Sequence, residues 1–444
     1  MGKFLTPKQT DELHKSIVAY LLSMNAVQSV AAITEELQFT EVPDQAFRQK
    51  YVGALERKWS AISRIQKRVL DLEAENLTLR ENAHSTAVTS RSKQVQDPVN
   101  WLPGRSATHT LQSHRSGVTC TAFHPVFTVL ASGSEDCTVK IWDWELGQME
   151  RTLKGHTRAV SGVDFGGQPD HVVLASCSSD LTIKIWDPNK DYANTRTLSG
   201  HDHTVSTVRF LTPTGNILAS ASRDASIRLW DVSTGYCIKT VQSDGAWIQD
   251  ISPSYDGRWL VTGGRNQTAT IWDVSSGKAI ANLFGHDNHL ECCAFAPPAS
   301  YPYLATLAGQ RKSVGERVEF VATGSRDKTI KLWSSRGRLV KTLVGHDNWV
   351  RGLVFHPGGK YLISVGDDKT VRCWDLSQEG RLVKTIEGVH GHFVSCIRWV
   401  SIIPKSCQQT VQSPSRTTRK DIPLPDFRCV FATGSADSCV RVFM

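Results

Sequence analysis

The sequence predicts an all-β ring of seven four-stranded blades, a β-propeller, preceded by an α-helical dimerisation segment and a short parallel coiled coil. Three observations predict this. A hydrophobic-Trp pair recurs at Trp142, Trp186, Trp230, Trp272, Trp333 and Trp374, spaced 44, 44, 42, 61 and 41 residues apart, a period that suits one blade per repeat. Residues 51–82 are rich in helix formers and charge, with apolar residues at heptad spacing. Residues 1–40 hold two short stretches with apolar residues at helical spacing.

In the first stretch Leu13, Ile17, Tyr20 and Leu21 share one helical face, and Val30, Ile33 and Leu37 do so in the second, after the polar break at Ser23–Asn25. So small a helical pair has too much surface for its volume to be stable alone. It is expected to pair with a second copy of itself.

In residues 51–82 the heptad places Leu55, Ile62, Val69 and Asn76 at position a, and Lys58, Ile65, Leu72 and Leu79 at position d. Branched residues at a with Leu at d favour two parallel strands, and a single buried Asn fixes register. Residues 83–105 are polar and patternless, which predicts a flexible linker to a ring spanning residues 106–444.

Within the ring an Asp or Asn stands six residues before each terminal aromatic: Asp136, Asp180, Asp224, Asn266, Asp327, Asp368 and Asp437. Four residues earlier comes a hydroxyl: Ser132, Ser176, Ser220, Thr262, Thr323, Ser364 and Thr433. Upstream stand His114, His156, His201, His286, His346 and His390, each followed four residues later by Val or Leu. On a four-stranded blade the His enters the first strand, the hydroxyl sits on the second, the Asp in the next turn and the Trp on the third. Indole, hydroxyl, imidazole and carboxylate can then satisfy one another in series. This predicts structural clamps, although repeated His and Asp invite a catalytic reading. The fourth repeat lacks both partners, with Ser243-Asp244 and Asn266 in their places, and the last has Phe443 for Trp. The strand at Ala107–Gln112 should complete the last blade, leaving no open sheet edge.

The His and Asp loops open on one face. There Arg223, Arg265 and Arg326 precede the Asp position, Lys328 and Lys369 follow it, and Trp247, Trp349 and Phe393 lie three beyond the His position, with Arg158 near the equivalent place. Arg and Trp concentrate binding energy, so this face is the expected partner surface. Insertions at 298–319 and 402–427 should emerge on the opposite face, the second as a disordered basic loop.

The formal charge of +8 falls mainly on the ring and suits an acidic partner. Eleven cysteines without metal-like spacing suit buried thiols, and no apolar run suggests a membrane span or leader. Nucleophile elbows, phosphate-binding loops, metalloprotease helices and dinucleotide fingerprints are absent from the sequence, so no enzyme activity, cofactor or metal is expected.

The stretch from Asp11-Glu12-Leu13 through Tyr20-Leu21 to Glu36 resembles a Lis-homology (LisH) motif, with Asn25 where that motif usually has Gly. Followed by a coiled coil and seven WD repeats, it resembles the lissencephaly and nuclear-distribution family of cytoplasmic dynein regulators, as do Ser222-Arg223-Asp224, Ser325–Lys331 and Leu343–Gly352. The resemblance implies a cytoplasmic homodimer on microtubules and at the spindle pole or centrosome. It binds the dynein heavy chain motor domain through Arg223, Arg326, Trp349 and Lys369, together with a nuclear-distribution-E-type coiled-coil adaptor. Nucleic acid is not an expected partner. Gln249 stands where the family often has a further Arg, and the long insertions resemble those of fungal-type members. The competing reading is a scaffold subunit of another complex: a ubiquitin ligase, a corepressor or a non-catalytic acetylhydrolase subunit.

Overall fold

A computed structural model of the protein describes residues 7–24, 26–36, 98–168, 171–212, 215–309, 318–400 and 428–444. The coiled-coil positions Leu55, Ile62, Ile65, Val69, Leu72, Asn76 and Leu79, residues 83–97 of the predicted linker and the 402–427 insertion lie outside these residues. The chain divides into two units, residues 1–95 and 96–444.

In the first unit α1 (Pro7–Ser23) and α2 (Val27–Glu36) meet through Val18, Ala19 and Val30, with Leu21, Leu22 and Ile33 packed around them. Leu13, Ile17, Tyr20 and Leu21 remain half-buried. The buried seam is thus turned from the expected face towards Val18 and Ala19. At about 25 cal/mol per Å², a core of three buried side chains offsets little of the entropy of ordering two helices.

The second unit is a ring of seven antiparallel four-stranded sheets. Blade one consists of Val118–Phe123, Val129–Ser134, Thr138–Asp143 and Gln148–Lys154 from the centre outwards. Blades two to six repeat the order over 160–199, 205–242, 248–283, 290–344 and 350–386. Blade seven takes three strands from the C-terminal end, and its fourth is β1 (His109–Gln112), which pairs with Cys439–Phe443 in the register His109↔Val442 to Gln112↔Cys439. The ring therefore closes by hydrogen bonds between the two ends of the unit, as predicted.

Each innermost strand carries a one-residue register shift just after its first residue, between Val118 and Cys120 in blade one and at the equivalent place in the others. Such a bulge bends the strand and re-aims the side chain. The apolar residue four beyond each His position begins these strands, and Val118, Val160, Val205, Ile248, Leu290, Val350 and Val394 are all buried between blades. That requirement explains the Val-or-Leu rule seen in the sequence.

Two details depart from the expectation. Residues 98–105 do not belong to a free linker: Trp101 packs edge-on against Trp399 and Phe431, with ring centroids 5.6 and 6.3 Å away, and Lys360 and Lys384 bond to Asn100 and the Pro103 carbonyl at 2.7 and 2.6 Å. The first insertion contains a helix, α3 (Tyr301–Leu307), whose Leu304 is fully buried among residues of blades five and six. Gly359 has φ +78° and lies so close to the Ala299 backbone that any side chain there would collide with it.

Candidate functional site

The predicted clamps are present. In blade one the Trp142 indole donates to Ser132 Oγ at 2.8 Å, Ser132 Oγ lies 2.7 Å from His114 Nε2, and His114 Nδ1 lies 2.9 Å from Asp136. The same series joins Trp186, Ser176, His156 and Asp180; Trp230, Ser220, His201 and Asp224; Trp333, Thr323, His286 and Asp327; and Trp374, Ser364, His346 and Asp368. Burial draws His114, His156 and His201 below their ordinary value, outweighing the nearby carboxylates. The neutral ring can then donate from Nδ1 to the Asp and accept at Nε2 from the hydroxyl, so the link is a hydrogen bond between one charged and one neutral group.

Asp136 is pulled the other way. Burial alone would raise it, but hydrogen bonds from the Thr138 hydroxyl, the Arg115 backbone and His114 hold its carboxyl at about 2. With every lone pair engaged inside the blade, these His and Asp groups have none free for a substrate.

Blade four keeps the Trp272 indole on Thr262 at 2.9 Å, and Thr262 turns its hydroxyl towards the Thr270 carbonyl, 3.4 Å away. Blade seven keeps His390 on Thr433 at 2.8 Å and on Asp437 at 3.0 Å, with Phe443 stacked on Phe431 where an indole would sit.

The basic and aromatic residues of this face form two clusters. Trp247 has two guanidiniums beside its ring, with Arg265 3.8 Å and Arg223 5.2 Å from the ring centre. Trp349 has Arg326 at 4.1 Å and Arg351 at 4.9 Å from its ring centre. Each indole has two guanidiniums within cation–π distance of its ring. Arg326 binds Glu291, and Arg351 bridges Glu291 and Asp367 at 2.9 Å each. Burial opposes the charge on Arg351, but its bonds to Asp367 and the charge of Glu291 hold its pKa above the usual value.

Arg158, Arg265, Lys369 and Phe393 are exposed on the same face, and Lys369 occupies a left-handed turn position at φ 64°. Sequence reasoning missed Glu291, Asp367 and the ion pairs that Arg351 makes with them, because Glu291 and Arg351 are 60 residues apart. The signal available was the charge at the same inner-strand place, five beyond His286 and His346.

The model of the WD domain, G-beta repeat, matches residues 105–143, 147–187, 193–231, 235–273, 277–334 and 337–375, and the PAC1 LisH domain matches 7–42. The nuclear distribution protein nudF of Aspergillus terreus is 62% identical over 445 residues, covering all of both chains. PAC1-1 of Uncinocarpus reesii is 62% identical and nudF of Emericella nidulans 61%, again over full length. The chain belongs to the nuclear distribution protein family.

Every described cysteine is a free thiol, and burial pushes Cys120 up to about 11 and Cys177 up to about 12, so both are weak nucleophiles. Among the described residues no group of three or more metal-binding side chains is found, and no helix is long and apolar enough to cross a membrane.

Proposed function

We propose that the protein is a non-catalytic homodimeric regulator of cytoplasmic dynein, serving nuclear migration, spindle positioning and microtubule-based transport. Its ring binds the motor domain of the dynein heavy chain through the Arg-Trp-Arg face, and the helical segment with the coiled coil joins two copies. A coiled-coil adaptor of the nuclear-distribution-E type is a further partner, and the complex resides on microtubules and at spindle poles. The observation that carries this reading is the pair of tryptophans with guanidiniums over their rings on one face of the ring, in a chain whose full-length relatives are nuclear distribution proteins.

The physics supports it. Stacked Arg and Trp are pre-ordered, so binding them costs little conformational entropy. Two rings per dimer raise the local concentration of the second once the first is bound. A ligand of this kind shifts the motor's cycle only by binding one motor conformation better than another. Leu13, Ile17 and Tyr20, left half-buried by one chain, supply the apolar surface for a second copy.

The test is retention of purified dynein motor domain by the immobilised full-length protein. Replacing Arg326 and Trp349 together by Ala should abolish retention while circular dichroism and sedimentation as a dimer stay unchanged. Retention at the wild-type level would refute the assignment of this face.

A further inference from the structure

An outermost strand reaches the following blade with one side chain, whose place is set by register. It stands opposite the residue before the terminal Trp: Ile141↔Arg151, Ile185↔Arg196, Leu229↔Lys239, Leu332↔Lys341 and Cys373↔Lys384. Arg151 bonds to the carboxylate and carbonyl of Asp191 in blade two, and Arg196 to the Ser233 and Thr234 carbonyls of blade three at 2.6 and 3.0 Å. Lys239 donates to the Ser275 carbonyl of blade four at 2.6 Å, Lys341 lies 3.8 Å from Glu379 in blade six, and Lys384 donates to Pro103, ahead of the strand that completes blade seven. In blade seven the same register holds His109, opposite Val442, and its ring lies against Gly147 of blade one.

Blade four breaks the series. Its residue in that register is Ala281, opposite Ile271, and a methyl group has no donor to offer the Ser334–Arg338 turn of blade five. Distance is not the obstacle, because a Cβ on Gly337, within that turn, would lie 3.9 Å from Ala281 Cβ. The inner part of the same seam is joined. The Cys293 and Phe295 amides of blade five donate to Asp250 and Ser252 Oγ of blade four at 3.1 and 3.2 Å, and His289 Nδ1 lies 2.6 Å from the Arg265 carbonyl. Further out, Ile271 and Leu283 share one apolar cluster with Phe295 and Trp333. Apolar contact is non-directional and tolerates a tilt between blades, whereas a hydrogen bond or ion pair at the rim holds them at one angle.

We propose that the seam between blades four and five is the hinge of the ring, pivoting on the inner strands and opening at the rim. Its position is what gives it a use. Arg223, Trp247 and Arg265 belong to blades three and four, whereas Arg326, Trp349 and Arg351 belong to blades five and six, so the hinge runs between the two clusters. A tilt there changes the spacing of the clusters while each keeps its internal contacts and every clamp stays closed. The face can then fit a partner whose contact points are set slightly closer or wider than its own. Using that tilt to seat the dynein motor rests on the function proposed above; the hinge does not.

The test supplies the missing bond. Nitroxide-bearing unnatural amino acids, which spare the native cysteines, are placed in the full-length protein at Ser276 and Arg338 across this seam, and at Thr234 and Ser276 across the seam between blades three and four. Double electron–electron resonance, on labelled chain diluted with unlabelled, reads the spread of distances. In the wild type the spread across the first pair should be about twice that across the second. Ala281→Gln, a neutral donor chosen because Arg336 stands in the facing turn, should narrow the first spread towards the second. Ala281→Met, of similar length without a donor, should leave it broad, and Lys239→Ala should broaden the seam between blades three and four. Equal spreads across the two seams of the wild type would overturn the hinge, as would narrowing by Ala281→Met to the same extent as by Ala281→Gln. Should Ala281→Gln not fold, the wild type against Lys239→Ala decides. Retention by the motor domain is read in parallel. Binding by Ala281→Gln that is weaker than by Ala281→Met by about threefold or more supports a part for the tilt in docking, whereas equal or tighter binding overturns that part. A wild type with the broad seam that retains no motor defeats the dynein reading and leaves the hinge standing.

Discussion

Blade one and blade four perform the same structural task with different numbers of polar groups. In blade one four side chains run in series from Trp142 to Asp136, and the terminal carboxylate also accepts from the backbone of Arg115 and Thr138. In blade four the series stops at Thr262, which finds a backbone carbonyl instead. The difference teaches that His and Asp form a unit: either one alone leaves a buried partner unsatisfied, whereas neither leaves nothing to satisfy. Blade four is not a damaged copy but a shorter closed circuit.

The largest test of that contrast removes the carboxylate. Asp136→Ala strands His114, itself only 8% exposed, and unpairs two backbone donors, so it should cost about 3 kcal/mol. Asn266→Ala, at the same place in blade four and exposed, should cost no more than about 0.5 kcal/mol. Apparent thermal midpoints of the full chain compare the two; equal shifts would end the distinction between the blades.

Acid should separate the blades as well. His114, His156, His201 and His390 lie below 6.5, and burial pulls His124 and His356 down to about 4. Between those values and 6.5 the unfolded chain binds more protons than the folded one, so stability is full above 6.5 and falls as pH drops, by up to about 1.4 kcal/mol per unit for each such histidine. The depressed Asp136, Asp224 and Asp368, near 2, contribute stability that is present above about 4 and lost as pH falls towards 2. Blade four contains neither clamp residue. Hydrogen exchange corrected for its intrinsic pH dependence should show blades one to three opening more easily at pH 5 than at pH 7.5, with blade four least changed.

Completing blade four is the converse experiment. Asp244→His and Asn266→Asp should each be neutral or slightly destabilising, while the pair together should gain about 1 kcal/mol through the new His-Asp-Thr262 series. Additive singles, read from a double-mutant cycle in the thermal midpoint, would argue that the two residues do not act as a unit.

The clamps and the closure of the ring were legible because each depends on short, repeated spacing: His to Val, hydroxyl to Asp, Asp to Trp. What escaped depends on long-range meeting. Trp101 falls in the tract 83–105, whose polar, patternless composition hides it, and its partner Trp399 lies almost 300 residues on. α3 was hidden inside an insertion, though Tyr301, Leu304 and Ala305 stand at helical spacing. The face itself was predicted from residue type, but nothing local to Arg326 announced that Glu291 would bind it. Ion pairing of this kind is a property of the closed ring.

The smallest effect is expected in blade seven, where the series lacks its indole. Elsewhere the residue opposite the Trp is aliphatic, as in Leu130↔Trp142, Leu218↔Trp230 and Leu362↔Trp374, but blade seven pairs Phe431 with Phe443. Their rings stack with centroids 4.7 Å apart, and Trp101 fills the space beyond Phe431. The aromatic volume is therefore shared across two strands. Phe443→Trp would bring an N–H within reach of Thr433, worth about 1 kcal/mol, but would overfill a fully buried site at a cost of similar size. The single variant should shift the thermal midpoint by less than about 3 °C. Adding Phe431→Leu restores the aliphatic partner and should make the double variant more stable than Phe443→Trp alone. If the single variant is instead clearly stabilised, the missing indole outweighs packing, and blade seven differs from blade four in being incomplete.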